Sequence, residues 1–257
     1  MTTPAEGDPV ADATEPAVEA ARLADLWRRW DEPPEPAKEG LSVHRITEAA
    51  VAIADAEGLA AVSMARVAKR LGYTPMALYR HVASKDELLL LMFNSVIDPF
   101  SGEPDGADWR TGLLAWVAHL NRSVRRSAWV VDINPTGLNT PRQLDMLEAG
   151  LRILSKTTLP EDEKAAVLLV LSAQVFSDVQ MNRQFADTEA AQSFGVMFAD
   201  PAFAQHYPEI GRAIAEGMFD DPDSDGADPI DLEFGVRLIL DGLAVRIGEL
   251  GIPADPG

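Results

Sequence analysis

Three helix-start signals follow one another closely in this sequence, at Ser63, Thr74 and Ser84. Ser and Thr are favoured at helix N-caps because the side-chain oxygen accepts a hydrogen bond from an N–H of the first turn. A glycine before Thr74 breaks the first helix, and Pro75 stands at the first position of the second, where a missing N–H costs nothing. Glu87, three residues after Ser84, completes the signature of a capping box. The spacing predicts two short helices around a tight turn, followed by a third helix.

The rest of the chain also follows the helical period. Apolar residues recur at spacings of three and four over residues 46–54, 113–124 and 144–154. Longer apolar helices are predicted from Pro160 to Ala186 and from Leu232 to Leu250. No segment shows the alternation typical of strands. We therefore predict an all-α protein, with a three-helix helix-turn-helix domain at residues 41–95 and a larger helical domain at residues 96–257.

Residues 1–40 form an acidic, proline-rich N-terminal arm. Its prolines exclude a helix over residues 32–40, because proline lacks an N–H and restricts the residue before it. Leu23, Leu26, Trp27 and Trp30 lie on one stripe of a short helix around residues 18–30. A mostly disordered arm is equally compatible with this composition.

Positive charge is concentrated in one place. The formal net charge is −19, yet residues 61–85 contain five basic residues and no carboxylate. Residues 1–40, 41–93 and 94–257 carry net charges of −6, +1 and −14, which sum to −19. A polyanion must therefore approach residues 41–93. The helices that begin after Ser63 and Thr74 have no acid in their first turns, and the first of them has Arg66 there instead. We therefore expect these two positive helix starts to lack internal compensation and to suit an external phosphate. The alternative is an ordinary solvated basic face.

The segment ADAEGLAAVSMARVAKRLGYTPMALYRHVASKDELLLLM resembles the N-terminal domain of the TetR family of bacterial transcriptional repressors. The residues that carry the resemblance are Gly58, Ser63, Val67, Ala68, Leu71, Gly72, Leu78, Tyr79, His81, Val82, Lys85 and Leu88. Two downstream segments, TGLLAWVAHLNRSVRRSAWVVD and LEFGVRLILDGLAVRI, are similar to the ligand-binding and dimerisation region of the branch near the tetracycline repressor. The resemblance implies a cytoplasmic, ligand-responsive repressor that binds a pseudo-palindromic double-stranded operator as a homodimer.

The resemblance also implies individual DNA contacts. Contacts to the DNA backbone fall on Ser63, Thr74, Tyr79, His81 and Lys85, and contacts to bases fall on Met76, Ala77 and Arg80. Ala65 stands where the tetracycline repressor has an arginine that contacts guanine. The recognition helix begins Pro75-Met76-Ala77, which offers no hydrogen-bonding side chain. Specificity is then expected from thymine methyl contacts, from Arg80 or Arg66, and from DNA shape.

An unidentified small-molecule effector is expected in the C-terminal domain. Polar residues interrupt otherwise apolar stripes there, and drug-sized ligands occupy apolar cavities with a few polar groups. The candidate ligand-binding residues are Trp116, His119, Gln174, Asp178, Met181 and Asn182, with Asn121 beside the first two. The alternative is that Trp116 and Met181 belong to the core while Gln174 and Asp178 join helices. An acidic residue such as Asp178 would admit a cation.

The final helix predicts dimerisation. Residues 232–250 are apolar on nearly every side, so the helix must be buried all round. Gly235 and Gly242, seven residues apart, permit a close approach on one face. We expect a symmetric homodimer formed with the residue 160–186 helix, against the alternative of burial within one subunit.

Other classes of function find less support. No phosphate loop, GxGxxG turn, GxSxG elbow or HExxH pair is present, so an enzyme is disfavoured. The four histidines are scattered, there is no cysteine, and neither a metal nor a cofactor is expected. The aliphatic runs are too short to cross a bilayer, and the first residues do not form a signal peptide. A DNA-binding regulator without an effector, and a sensor that no longer binds DNA, remain as alternatives.

Overall fold

The computed structural model of the protein describes residues 15–31, 40–100, 102, 107–133, 140–185, 201–216 and 232–251. Regular structure within these ranges is helical throughout, which confirms the predicted all-α class. The α-helices are α1 (Glu15–Asp31), α2 (Val43–Glu57), α3 (Met64–Leu71), α4 (Pro75–Tyr79), α5 (Lys85–Val96), α6 (Trp109–Arg126), α7 (Pro141–Leu154), α8 (Glu161–Phe185), α9 (Pro201–His206), α10 (Pro208–Ala215) and α11 (Leu232–Gly251). Short 3₁₀ turns occur at Leu59–Ala61 and Ala128–Asp132.

Helices α2 to α5 form the head, residues 40–97, and local chemistry sets its boundaries. Ser63 and Thr74 accept hydrogen bonds from the N–H groups of Arg66 and Ala77, as the N-cap signals predict. Gly72 has φ of 77° in the left-handed region, which glycine adopts without a Cβ clash and which ends α3. The predicted helix-turn-helix is therefore confirmed.

The core of the head lies where the short helices cross. Val67, Ala68 and Leu78 are fully buried, where α3 packs against α2 and α4 packs against α3. Small Ala68 lets the two helices approach closely. This packing leaves the N-terminus of α4 projecting away from the core.

Helix α1 packs against the head. It spans Glu15–Asp31, so the helix expected around residues 18–30 is confirmed. Leu26 is only 1% exposed, and the Trp30 ring stacks on the His44 ring of α2 with centroids 4.4 Å apart. This part of the N-terminal arm therefore belongs to the head in the folded chain.

Helix α8 is the central helix of the C-terminal domain, in contact with α6, α7 and α11. Gly150 of α7 lies directly against the Leu168 side chain of α8, so these two helices approach closely there. Within the described residues α8 is the one helix long and apolar enough to cross a bilayer, with a mean hydropathy of 1.3. The uninterrupted aliphatic runs within α8 are as short as the sequence analysis states, and the helix packs against α6, α7 and α11.

The final helix α11 is only partly buried by its own chain. Val236, Leu240 and Leu243 are buried, whereas Phe234, Leu238 and Val245 are more than 60% exposed. A Cβ at Gly235 would lie 2.9 Å from Gln174 Nε2, so this glycine permits the close approach of α11 to α8. The expectation that the helix is buried all round is therefore not met within a single chain.

Candidate nucleic-acid interface and ligand cavity

Most of the residues predicted to contact DNA form one accessible surface at the end of the head. Ser63, Arg66, Thr74, Pro75, Met76, Tyr79, Arg80 and Lys85 are exposed, while Ala77 and His81 are half-buried. Met76, at the tip of α4, is 69% exposed, which is unusual for a large apolar side chain. We call this set of ten residues the recognition surface.

The backbone geometry of the recognition surface suits contacts with an anion. The hydroxyls of Ser63 and Thr74 accept N-cap hydrogen bonds, and each hydroxyl can also donate its proton to an acceptor that approaches the helix start. Tyr79 is 46% exposed and Lys85 follows at the first turn of α5. Helices α3 and α4 have no acidic residue in their first turns.

Arg66 differs from its expected state. Its guanidinium forms an ion pair with Glu57 at the end of α2, and both side chains are more than 40% exposed. The expectation that this helix start lacks internal compensation is therefore wrong, because sequence spacing does not reveal that α2 ends beside α3. A surface pair of this kind is weak and can exchange for a phosphate.

His81 lies just after the recognition helix α4, and its environment favours the neutral imidazole. Burial, together with the nearby charges of Arg29 and Arg80, lowers the pKa of His81 below its ordinary value of 6.5. Its backbone carbonyl accepts a hydrogen bond from the Arg29 guanidinium of α1. The half-buried imidazole therefore lies at the recognition surface with its protonation disfavoured relative to a free histidine.

The capping box predicted at Ser84 forms only in part. Ser84 Oγ accepts from the Glu87 N–H at 3.0 Å, as expected. The Glu87 carboxylate, however, accepts from the N–H of Ala83 at 3.2 Å and also faces Arg29, 3.3 Å away. Its side chain is only 2% exposed. Glu87 is thus a buried charge shared between the start of α5 and helix α1.

A cavity of about 630 Å³ lies in the C-terminal domain beneath the end of α5. Its lining residues are Phe93, Ile97, Trp116, Leu120, Val131, Ile133, Arg142, Gln143, Met146, Leu147, Leu168, Leu169, Ser172, Phe176 and Gln180. Such a volume and apolar lining are typical of sites for drug-sized molecules.

Three aromatic residues, Phe93, Trp116 and Phe176, stand among the mostly aliphatic residues of the cavity wall. The Phe93 and Phe176 rings are nearly parallel, with centroids 6.1 Å apart. Trp116 is 2% exposed, and its Nε1–H donates to the Met146 carbonyl at 2.8 Å, so its ring presents an apolar surface. Arg142 is the one charged residue among the described lining residues. The described lining therefore combines apolar side chains with a single cation.

Of the residues expected to bind an effector, Trp116 lines this cavity and the other five do not. His119 contacts the Asp98 carbonyl at 3.0 Å and the Phe100 ring, and Gln174 packs at Gly235. Asp178 has a fully buried side chain paired with Arg125 at 3.0 Å.

The remaining two expected residues lie further along α8. Met181 is 37% exposed, and both amide atoms of Asn182 are buried without a hydrogen-bond partner among the described residues. Because the Asp178 carboxylate already pairs with Arg125, it does not favour a cationic ligand.

The sequence interpretation missed the lining residues that lie on α5 and α7. Phe93 lies in the last turn of α5 and Ile97 caps that helix, whereas Arg142 and Gln143 lie in the first turn of α7, after the Thr140 N-cap. The sequence contains one signal for this part of the cavity, because the polar residues Arg142 and Gln143 stand at a helix start next to an apolar stripe. Nothing in the local pattern shows that these two helix ends meet.

Helix α5 connects the recognition surface to the cavity. Its first turn contains Lys85, and its last turn contributes Phe93 to the cavity wall. Arg126 of α6 donates to the Val96 carbonyl at 3.0 Å and pairs with Asp98 at 2.7 Å, which lowers the pKa of Asp98. The far end of α5 is thereby fixed to the cavity-bearing domain.

Comparison with known proteins assigns both parts of the chain. Residues 46–92 match the bacterial regulatory proteins of the tetR family, and residues 101–247 match the tetracyclin repressor-like C-terminal domain. The HTH-type transcriptional repressor DrrR1 of Streptomyces coeruleorubidus is 32% identical over 238 residues, which cover 90% of this chain and 87% of DrrR1.

Solved structures agree with this assignment. Apo ActR from Streptomyces coelicolor superposes with a TM-score of 0.65 at 27% identity, covering 83% of this chain and 100% of ActR. ActR in complex with actinorhodin gives a TM-score of 0.64 at 26% identity, covering 81% and 99%. Together with the helix-turn-helix and the cavity, these matches show that the chain belongs to the tetR family of transcriptional regulators, with a tetracycline-repressor-like C-terminal domain.

Proposed function

We propose that this protein is a cytoplasmic, ligand-responsive repressor that binds a pseudo-palindromic operator as a homodimer. The observation that supports this most strongly is the position of α5. One end of this helix adjoins the recognition surface, and the other end forms a wall of the apolar cavity.

In this proposal the recognition surface contacts DNA in two ways. Ser63, Thr74, Tyr79, His81 and Lys85 hold the phosphate backbone, and Arg66 joins them when it leaves Glu57. Met76, Ala77 and Arg80, with Pro75 at the helix start, face the bases. A highly exposed Met76 suits apolar contact with thymine methyls in the major groove.

The exposed face of α11 supports a homodimer. Phe234, Leu238 and Val245 lie within one narrow stripe of the helix and are all exposed in the single chain. Val170 and Met181 of α8 are exposed as well. A second copy related by twofold symmetry would cover these residues, and it would place two recognition helices on one face of the DNA.

The cavity supports an effector that is largely apolar, contains rings and is neutral or anionic. ActR, whose fold is similar, was solved with actinorhodin and with (S)-DNPA. Arg142 is the lining residue suited to an acidic or carbonyl group of the ligand. We propose the same broad class of ligand here.

Effector binding would act on DNA affinity through α5. A ligand between Phe93 and Trp116 favours one position of the far end of α5, and the near end then moves the recognition surface relative to its symmetry mate. Such a ligand lowers operator affinity only to the extent that it binds the two positions with different affinity.

The test begins with selection of duplexes from a random pool by the full-length protein. We expect pseudo-palindromic sequences, which the Lys85→Ala variant should bind more weakly. The selected duplex is then titrated with actinorhodin and related compounds in a mobility-shift assay. Release of the duplex supports the sensor. Operator binding that no compound alters favours a regulator without an effector, and chemical turnover of a compound would favour an enzyme.

A matched pair of variants localises the effector. Ser172 lines the cavity, so Ser172→Trp should fill it and abolish release while leaving DNA binding intact. Ser155→Trp adds the same side chain at an exposed position at the end of α7 and should respond like the unmodified protein. An unchanged response of Ser172→Trp would place the effector elsewhere.

A further inference from the structure

Helix α1 lies before the part of the chain that matches the family, which begins at residue 46. It is nevertheless packed onto the head, with Leu26 buried and Trp30 stacked on His44. One of its residues, Arg29, extends beyond this apolar contact to the turn that follows the recognition helix. Helix α1 is thus placed to influence DNA recognition.

Arg29 joins the two ends of that turn. Its Nη1 donates to the His81 carbonyl, and its Nη2 lies 3.3 Å from Glu87 Oε1. The other Glu87 oxygen accepts from the Ala83 N–H, inside the same turn. The Arg29 guanidinium therefore links His81 and Glu87, which are six positions apart, through two separate N–H groups. A lysine has a single ammonium group and cannot reproduce this planar, two-pronged contact.

The turn needs such support because α4 is short. A helix of five residues closes few hydrogen bonds of its own and does not persist without tertiary contacts. Within the turn, the N–H groups of His81 and Val82 both bond to the Leu78 carbonyl. Without Arg29, the Glu87 carboxylate, whose side chain is 2% exposed, would lose its cationic partner.

We propose that Arg29 is a positioning residue for DNA recognition, which rests on the proposed operator binding. From α1 it fixes the turn from His81 to Glu87, and so the orientation in which His81 and Lys85 meet phosphates. Arg29 itself is engaged with protein groups and is not offered as a DNA contact.

The experiment compares Arg29→Met with Arg28→Met in the full-length protein. Arg28 is the matched control, because it lies on the same helix with a 65% exposed side chain paired with Asp25, and its loss changes the net charge equally. The probe is a duplex selected by the unmodified protein. Arg29→Met should weaken binding about tenfold, the size expected for one charge-assisted hydrogen bond, and Arg28→Met by less than about twofold.

Two further readouts separate positioning from general stability. Amide exchange of residues 81–87 in the free protein should accelerate in Arg29→Met and not in Arg28→Met. Arg29→Lys keeps the charge without the fork and should bind with intermediate affinity. If Arg29→Met does not fold, the double variant Arg29→Met/Glu87→Gln, which removes the buried charge with its partner, is used with the same expectation.

The outcomes separate this inference from the proposed function. If the unmodified protein selects no duplex, the operator proposal fails and this inference fails with it. If it binds its duplex, and folded Arg29→Met binds as tightly as Arg28→Met, the positioning role alone is overturned. A lower melting temperature with unchanged operator affinity would likewise reduce Arg29 to a stabilising residue.

Discussion

Replacing Leu238 by Ala should weaken the homodimer without unfolding the subunit. Leu238 is 64% exposed in the single chain, in one stripe with Phe234 and Val245. Complete burial of a leucine side chain contributes about 1.5 to 3 kcal/mol, so covering this fraction, less the Cβ that alanine keeps, contributes about 0.7 to 1.4 kcal/mol. A twofold interface contains the residue twice, which gives about 1.4 to 2.8 kcal/mol, or about a 10- to 100-fold higher dimer Kd.

Sedimentation over a range of concentrations measures this change, with thermal unfolding followed in parallel. Leu144→Ala is the matched control, since Leu144 is 51% exposed on α7, away from the proposed interface. Gly242→Leu adds a second test, because within the described chain no atom lies within 4 Å of a Cβ there, and only a partner copy would clash. A dimer constant unchanged in Leu238→Ala, or an unmodified protein that is monomeric at micromolar concentration, would refute the reasoning.

Three further predictions concern DNA and ligand binding. Lys85→Ala should weaken binding to all duplexes and reduce the salt dependence of the binding constant by about one unit of slope. Met76→Gln should instead change which sequences are selected. If both variants weakened binding equally on all sequences, the assignment of Met76 to the bases would be wrong. Because the pKa of His81 lies below 6.5 in the free protein and a phosphate would raise it, binding takes up a proton. Operator affinity should then rise as the pH falls from about 7.5 to about 6, and His81→Gln should flatten this trend. In Gly150→Ala the new Cβ would overlap the Leu168 side chain and push it into the cavity, so calorimetry should show weaker effector binding. The overlap should lower the free energy of unfolding by about 1 to 3 kcal/mol, and the higher helix propensity of alanine should offset about 1 kcal/mol of this loss.

The head was predictable because its signals are local. An N-cap side chain bonds to an N–H three residues further on, and a glycine in the left-handed region ends a helix by its own conformation. Ser63, Gly72 and Thr74 therefore determine where the helices begin and end, independently of the rest of the chain. The exposed position of Met76 was predictable as well, because Leu78 is the residue of the second helix that packs inward, which leaves the start of that helix projecting outward. Local rules of this kind can be applied directly to a single sequence.

The ligand cavity was not predictable in the same way. Helix α8 is apolar on several sides, so its pattern does not show which face meets α6 and which stays exposed. The cavity joins Phe93, Arg142 and Phe176, which are far apart in the chain. Asp178 illustrates the difficulty, because the sequence does not show that Arg125 of a different helix pairs with its carboxylate.

The ion pairs of the head show the same limit at shorter range. Glu87 fits the capping-box spacing, yet its carboxylate bonds to Ala83 and Arg29 instead of closing the box. Arg66 fits a phosphate site, yet Glu57 reaches it from the preceding helix. Spacing identifies which groups need a partner, and only the packing of helices determines which partner they find.

The most direct test of the account measures the coupling between the cavity and the recognition surface in both directions. The Kd of the selected duplex is measured with and without the releasing compound, and the Kd of that compound is measured with and without the duplex. We predict that each lowers the affinity for the other by the same factor, within about 5- to 150-fold, and that Ser172→Trp abolishes the effect. A compound that occupies the cavity while the Kd of the duplex stays unchanged would contradict the central claim that this protein senses a ligand to control DNA binding.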